Sequence, residues 1–235
     1  MVDVKQIIKN IIKRLEDGKI SPKNAWDKIE NLKELYVQQY SEQSWHKFIG
    51  DIFEKKLFYS IVKGYLTRLK SQNPAFRSLN VFTEKEIQNN DIIQRKLAVK
   101  YGKYLLLPDA DIAIVDYNFK EPWKSEVLAI ISCKTSLRER IAQACYWKLK
   151  LLSADVTKNV RVFLATTDND KDFFMSEKKQ YNGMSRNRII AEYELDGVYI
   201  LREGFKKEWE SDKVKRYEAI FDDLVKIFKE IHRNS

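Results

Sequence analysis

Hydrophobic spacing divides the chain into a helical first third and a strand-rich remainder. Over residues 3–17, Ile7, Ile8, Ile11, Ile12 and Leu15 recur at helical intervals and Gly18 marks the stop. Ser21 followed by Pro22 reads as a cap with proline at the first helical position. It opens a second helix carrying Ala25, Trp26, Ile29, Leu32, Leu35 and Tyr36. Ser44 is placed to cap a third, longer helix over residues 45–70, with Trp45, Phe48, Ile49, Ile52 and Phe53 along it. Residues 71–103 keep no sustained period and predict no particular element.

Beyond residue 103 the period shortens. Ile112–Val115 and Val127–Lys134 are apolar runs of the kind that form strands buried on both faces. The turn-forming stretch Asn118-Phe119-Lys120-Glu121-Pro122-Trp123 between them predicts a hairpin. Thr135-Ser136 is a capping pair for a helix over residues 137–152, and Val160–Ala165 predicts the next strand. Strand, helix and strand at this length make a parallel crossover unit. Asp196–Leu201 predicts a last strand. A final helix carries Tyr217, Ile220, Phe221, Leu224, Ile227, Phe228 and Ile231 on one stripe, with Lys206-Lys207 and Lys213–Arg216 on its wet face. The fold class is α/β, a mixed central β-sheet flanked by helices. An N-terminal helical region spans 1–43, and a core ending in a helix spans 44–235.

Composition narrows the partners. Forty-three Lys and Arg against 34 Asp and Glu leave a formal charge of +9, a surplus that favours a polyanion through counterion release. With 44% hydrophobic and 12% aromatic residues the chain can bury a full core, and seven Gly and four Pro leave no long flexible linker. Cys133 and Cys145 sit among apolar residues without metal-ligand spacing, and read as reduced core thiols of a cytoplasmic protein. His46 and His232 lack Cys or His neighbours and do not read as ligands. No apolar stretch approaches the roughly 18 residues that span a membrane, and no signal peptide precedes the first helix.

Candidate chemistry gathers at the hairpin. Asp109 and Asp111 are two residues apart and would share one side of a strand, as would Ser132 and Lys134 on its neighbour. Buried carboxylates and a buried ammonium are costly unless paired or bound to a metal, so the set is either a structural ion pair or a metal-dependent phosphodiester-cleaving site. Glu54, with Gly50 one turn before it and Leu57, Phe58 and Ile61 after it, leans into an apolar arc. It needs a partner, either a metal or an arginine from the helix after Lys134. Arg138 and Arg140 have the fork geometry for phosphate or guanine. Arg186, Asn187 and Arg188, in a polar loop after Tyr181-Asn182-Gly183, are further DNA-binding candidates.

The helix with Gly50-x-x-Phe53-Glu54, then Pro108-Asp109, then Ser132-Cys133-Lys134 leading into a helix, resembles the PD-(D/E)XK nuclease superfamily over residues 45–200. By that likeness Asp109 corresponds to the family's aspartate and Lys134 to its lysine, with Asp111 a competing candidate. Ser132 stands where the family has an acid two before the lysine. A Ser-x-Lys site resembles CCGG-cutting restriction enzymes, in which a glutamate of the following helix substitutes; here Glu139 or Glu54 could fill that place. Cys133–Arg140 is similar to type II restriction endonucleases of the BsaWI-like kind.

The resemblance implies a type II restriction endonuclease that hydrolyses double-stranded DNA at a short palindrome. It would use Mg2+ on Asp109, Asp111 and Glu54, act as a homodimer, and be accompanied by a DNA methyltransferase for the same site. A structure-selective resolvase or repair nuclease, and a binding module that kept the fold but lost catalysis, are the alternative expectations.

Overall fold

A computed structural model describes residues 3–137 and 139–233. In chain order the elements begin with helices α1 (Val4–Glu16), α2 (Pro22–Glu30), α3 (Lys33–Gln39), α4 (Glu42–Ile52) and α5 (Phe58–Gln72). Next come β1 (Leu79–Thr83), α6 (Glu84–Gln88), α7 (Asp91–Leu97), the small hairpin β2 (Val99–Tyr101) and β3 (Tyr104–Leu106), then β4 (Ile112–Asp116) and β5 (Glu126–Lys134). The remainder is α8 (Arg140–Leu152), β6 (Arg161–Thr166), α9 (Arg186–Glu194), β7 (Gly197–Ile200), β8 (Val214–Arg216) and α10 (Ala219–Arg233).

Among the described residues six strands join in one sheet, ordered β1-β4-β5-β6-β7-β8. The β1–β4 and β4–β5 pairs are antiparallel, whereas β5–β6, β6–β7 and β7–β8 are parallel. This is the mixed, helix-flanked sheet expected, and β5-α8-β6 is its crossover. Alternation along β4 explains its unbroken apolar sequence. Ile112 and Ile114 enter a core built with α1, α2, α4, α5 and α10, while Ala113 and Val115 enter a second core with α7 and α8. One bulge interrupts the hairpin, since Ile114 faces Ala129 but Val115 faces Val127, leaving Leu128 as the extra residue.

Several expected boundaries move. The second predicted helix is two, broken where the Leu32 amide bonds back to Ile29 O at 3.0 Å; the apolar stripe runs on through that turn. Ser41, rather than Ser44, caps α4, and the Ser44 hydroxyl instead meets Tyr36 Oη at 3.0 Å. The long helix predicted over 45–70 contains a π turn at Phe53–Leu57 between α4 and α5. α8 starts at Arg140, because Ser136 bonds elsewhere. Lys213–Arg216 belongs to or adjoins the short edge strand β8, and Lys206-Lys207 lies in the loop before it; neither is on the last helix. The stripe of α10 covers the chain's own core, with Ile220 and Leu224 fully buried. Among the described residues no helix is long and apolar enough to cross a membrane.

Candidate active site

Strand register carries Asp111 to Lys134. Ile112 pairs with Ile131, and the Asp111 amide extends that ladder by donating to Ile131 O at 3.2 Å. The Asp111 side chain then folds over the end of β5, where its Oδ2 accepts the Cys133 amide at 2.7 Å and Lys134 Nζ at 3.1 Å. Glu54 approaches from the helical layer, with Oε1 3.7 Å from the same ammonium. Its placement depends on the π turn, in which the Phe58 amide reaches back five residues to Phe53 O. That wider turn buries Phe53, Leu57 and Phe58 together and leaves Glu54 facing the hairpin.

One ammonium therefore serves two carboxylates. Burial pulls the Lys134 pKa down, but Asp111, Glu54 and Asp109 together outweigh it, and the pKa ends above the ordinary lysine value. Glu54, the more distant partner, is pushed up to about 7, chiefly by burial and further by the Asp111 charge, against the opposing pull of Lys134 and Arg140. The pair lies between two clefts. One, of about 420 Å³, is lined by His46, Lys47, Gly50, Ser136 and Arg140 among others. The other, of about 260 Å³, includes Tyr59, Thr83 and Lys85, and Glu54 lines both.

The remaining candidates separate by environment. Asp109 precedes β4, which begins at Ile112, so the two-residue period does not tie it to Asp111. Asp109 is half-buried, and its charge still reaches Lys134. Ser132 is buried within β5, opposite Leu164. Glu54's ion pair is with Lys134, and Arg140 acts on it only through its charge. Arg140 is exposed at the first turn of α8 and, with Glu139, lines the larger cleft. Arg138 lies outside the described residues.

The segment Ser185–Arg188 is not a loop: Ser185 caps α9, and Arg186, Asn187 and Arg188 form its first turn. Arg186 is exposed. Asn187 donates to Asp172 Oδ2 at 2.9 Å. Arg188 departs furthest from expectation. It is 2% exposed, and its guanidinium donates to Phe173 O at 2.6 Å and Trp209 O at 2.5 Å, so it ties two loops together instead of facing a ligand. His46, which does not read as a ligand from the sequence, and Lys47, which the sequence does not single out, both line the larger cleft. A signal was present, because His46, Lys47, Gly50, Asp51 and Glu54 recur at helical spacing on one side of α4 and the turn after it. Cys133 and Cys145 are free and buried, and burial raises both thiol pKa values.

A lysine gripped by two acids beside open clefts is compatible with several chemistries, and relatives decide among them. Residues 86–223 match the family described as BsaWI restriction endonuclease type 2. The chain belongs to that family. This endonuclease is also 34% identical over 229 residues to a putative type II restriction enzyme, MjaVIP, of Methanocaldococcus jannaschii, covering 91% of this chain and 94% of that protein. It is 41% identical over 88 residues to a probable type II restriction enzyme, HpyAORF263P, of Helicobacter pylori, covering 37% and 43% of the two chains. A solved complex of the restriction endonuclease PspGI with its substrate DNA shares the fold, with a TM-score of 0.51 at 14% identity over 98% of this chain and 94% of that one. The protein is thus a type II restriction endonuclease, an endodeoxyribonuclease by class. The family match includes Asp111, Lys134 and Arg140 but begins after Glu54.

Proposed function

We propose that this enzyme hydrolyses phosphodiester bonds in double-stranded DNA at a short palindromic sequence, with Mg2+ as cofactor and a second copy of the chain for the second strand. The observation that carries the reading is the grip of Asp111 and Glu54 on Lys134 between two clefts. The charge of +9 suits a polyanionic substrate. Twofold symmetry in a homodimer would match twofold symmetry in a palindrome. A DNA methyltransferase for the same sequence would protect the host genome.

The residues fit a hard divalent cation. Asp111 and Glu54 supply carboxylate oxygens, and Mg2+ typically takes one or two of these and fills its remaining positions with water and phosphate oxygens. Burial has already raised Glu54 to about 7, so this carboxylate lacks positive charge that a cation would provide. Asp109 is the reserve ligand, half-buried and near enough to influence Lys134. When bound, such a cation neutralises the phosphate and favours hydroxide over water near neutral pH.

The chain's own residues do the rest. Lys134, its ammonium fixed by two acids, orients the attacking water and offsets charge building on the phosphate oxygens. The water oxygen gives up a proton to solvent as it bonds to phosphorus, the ester P–O bond breaks, and the departing oxygen takes a proton from solvent. Arg140 and Arg186 are exposed and available to phosphate or base edges, and Arg138 joins them by its place in the sequence.

The test is digestion of plasmids of known sequence with purified enzyme. Discrete fragments that require Mg2+ and disappear with EDTA support the reading. Nicking that depends on DNA branches, or binding without any turnover, would overturn it.

A further inference from the structure

The connector between Lys134 and α8 is held from outside. Glu139 at the helix N-cap makes no side-chain capping bond. Instead Asp170 Oδ2 accepts from Ser136 Oγ at 2.5 Å and from the Leu137 amide at 2.9 Å. Beside it the Asn169 amide donates to Thr135 O at 3.1 Å. Both contacts come from the loop after β6, which crosses to the connector of the neighbouring strand.

That loop is locked in an unfavourable shape. Asp168 and Lys171, on either side of Asn169 and Asp170, have φ of 49° and 55°, left-handed values that residues other than glycine seldom adopt. Such backbone persists where its surroundings over-determine it, and it gathers at functional sites. Here the buried Asp168 carboxylate accepts the amides of Asp172 and Phe173 at 2.7 and 3.0 Å. Arg202 donates to Asp168 O at 2.9 Å, and Lys179 Nζ donates to Lys171 O at 2.7 Å and Phe174 O at 2.5 Å. Three charged side chains thus serve backbone groups of one short loop.

We propose that Asp170 is a positioning residue for cleavage and site discrimination: it fixes the Thr135–Leu137 connector, and with it the spacing between the Lys134 ammonium and Arg140. The inference rests on the DNA-cleaving reading above.

Asp170→Asn keeps the size of the side chain and removes the carboxylate to which Ser136 Oγ and the Leu137 amide donate. As a positioning residue, its loss lowers kcat/KM at the cognate site by about 10- to 100-fold, the scale of a small misplacement. Cleavage at sites differing by one base falls less, so discrimination drops, while affinity for a duplex lacking the site holds or rises. Ser136→Ala should lose part of the same discrimination, and the double variant should be no worse than Asp170→Asn alone. Unchanged discrimination in Asp170→Asn, or losses that multiply in the double variant, overturns the inference. Should Asp170→Asn fail to fold, as judged by circular dichroism, Ser136→Ala decides alone, and unchanged discrimination there overturns it. A wild-type enzyme that leaves DNA uncut removes the functional reading and this inference together. Wild-type cutting with intact discrimination in the variants removes only the inference.

Discussion

Lys134 Nζ lies 3.1 Å from Asp111 Oδ2, the oxygen that also takes the Cys133 amide proton at 2.7 Å. A side chain that bonds both the backbone and the ammonium at the end of β5 leaves the lysine little freedom. Lys134 is 5% exposed, so the contact is shielded from water on most sides. Its reach out of the sheet to Glu54 in the helical layer then sets the charge balance of the whole site.

Replacing Lys134 with Ala should reduce DNA cleavage on the order of 10³-fold or more, within the range for a group acting at the reacting atoms. The fold should survive. Breaking a buried pair costs about 3–5 kcal/mol when the remaining charge stays uncompensated, but Glu54, already raised to about 7, can take up a proton. Plasmid digestion and a thermal melt measure the two effects. A variant that still yields discrete bands would show that the lysine is structural.

Gly50 should reveal a conflict between stability and access. It sits inside α4 and lines the larger cleft, and a Cβ built there meets nothing within 4 Å. Gly50→Ala should therefore stabilise the helix by about 0.5–1 kcal/mol through backbone entropy. Gly50→Leu should project into the cleft and raise KM for DNA while leaving the melting temperature near or above the wild-type value. Equal KM for both variants and wild type would mean that DNA does not enter beside α4.

The two arginines once grouped as DNA contacts should part in experiment. Arg188→Ala should lose about 3 kcal/mol or more of stability, because it leaves buried carbonyls without their charged donor. Arg140→Ala should change stability by less than about 0.5 kcal/mol yet weaken binding by about 1–3 kcal/mol if it reads a base. If it meets only phosphate, the salt dependence of binding should drop by about one unit. Urea titration and binding at several salt concentrations separate these outcomes.

Asp168 should leave a mark on the pH dependence of stability. Burial raises its pKa from 3.8 to about 6, against the two backbone amides and Arg202 that favour its charge. In this window the folded chain holds a proton that the unfolded chain has released. The contribution is fully present below pH 3.8 and is lost as pH rises through about 6. Asp168→Asn cannot titrate, so the wild-type-minus-variant stability should fall by up to about 3 kcal/mol between pH 4 and 7. A flat difference across urea melts in that range would contradict the assignment.

Most of the architecture was legible because burial leaves a period in the sequence. The doubly buried strands Ile112–Asp116 and Glu126–Lys134, the crossover to β6 and the α10 stripe all follow from spacing alone. Short edge elements escaped for the same reason. Val214–Arg216 is three residues long, too short to show a period, and β1, α6 and α7 were lost in the mixed stretch 71–103.

At the site, the sequence by itself determined the chemical kinds: two aspartates at the entry to one strand, a lysine at the end of the next, and Glu54 on a distant helix. Only tertiary structure decided which acids meet the lysine. The register of β4 on β5 delivers Asp111 to Lys134, and the π turn turns Glu54 towards it. Likewise Arg188 and Arg140 carry the same guanidinium, and burial by neighbours far along the chain makes one a strut and leaves the other free to meet DNA. Local spacing encodes which face of an element is apolar, whereas the partner of a charge is set by contacts between residues that spacing cannot relate.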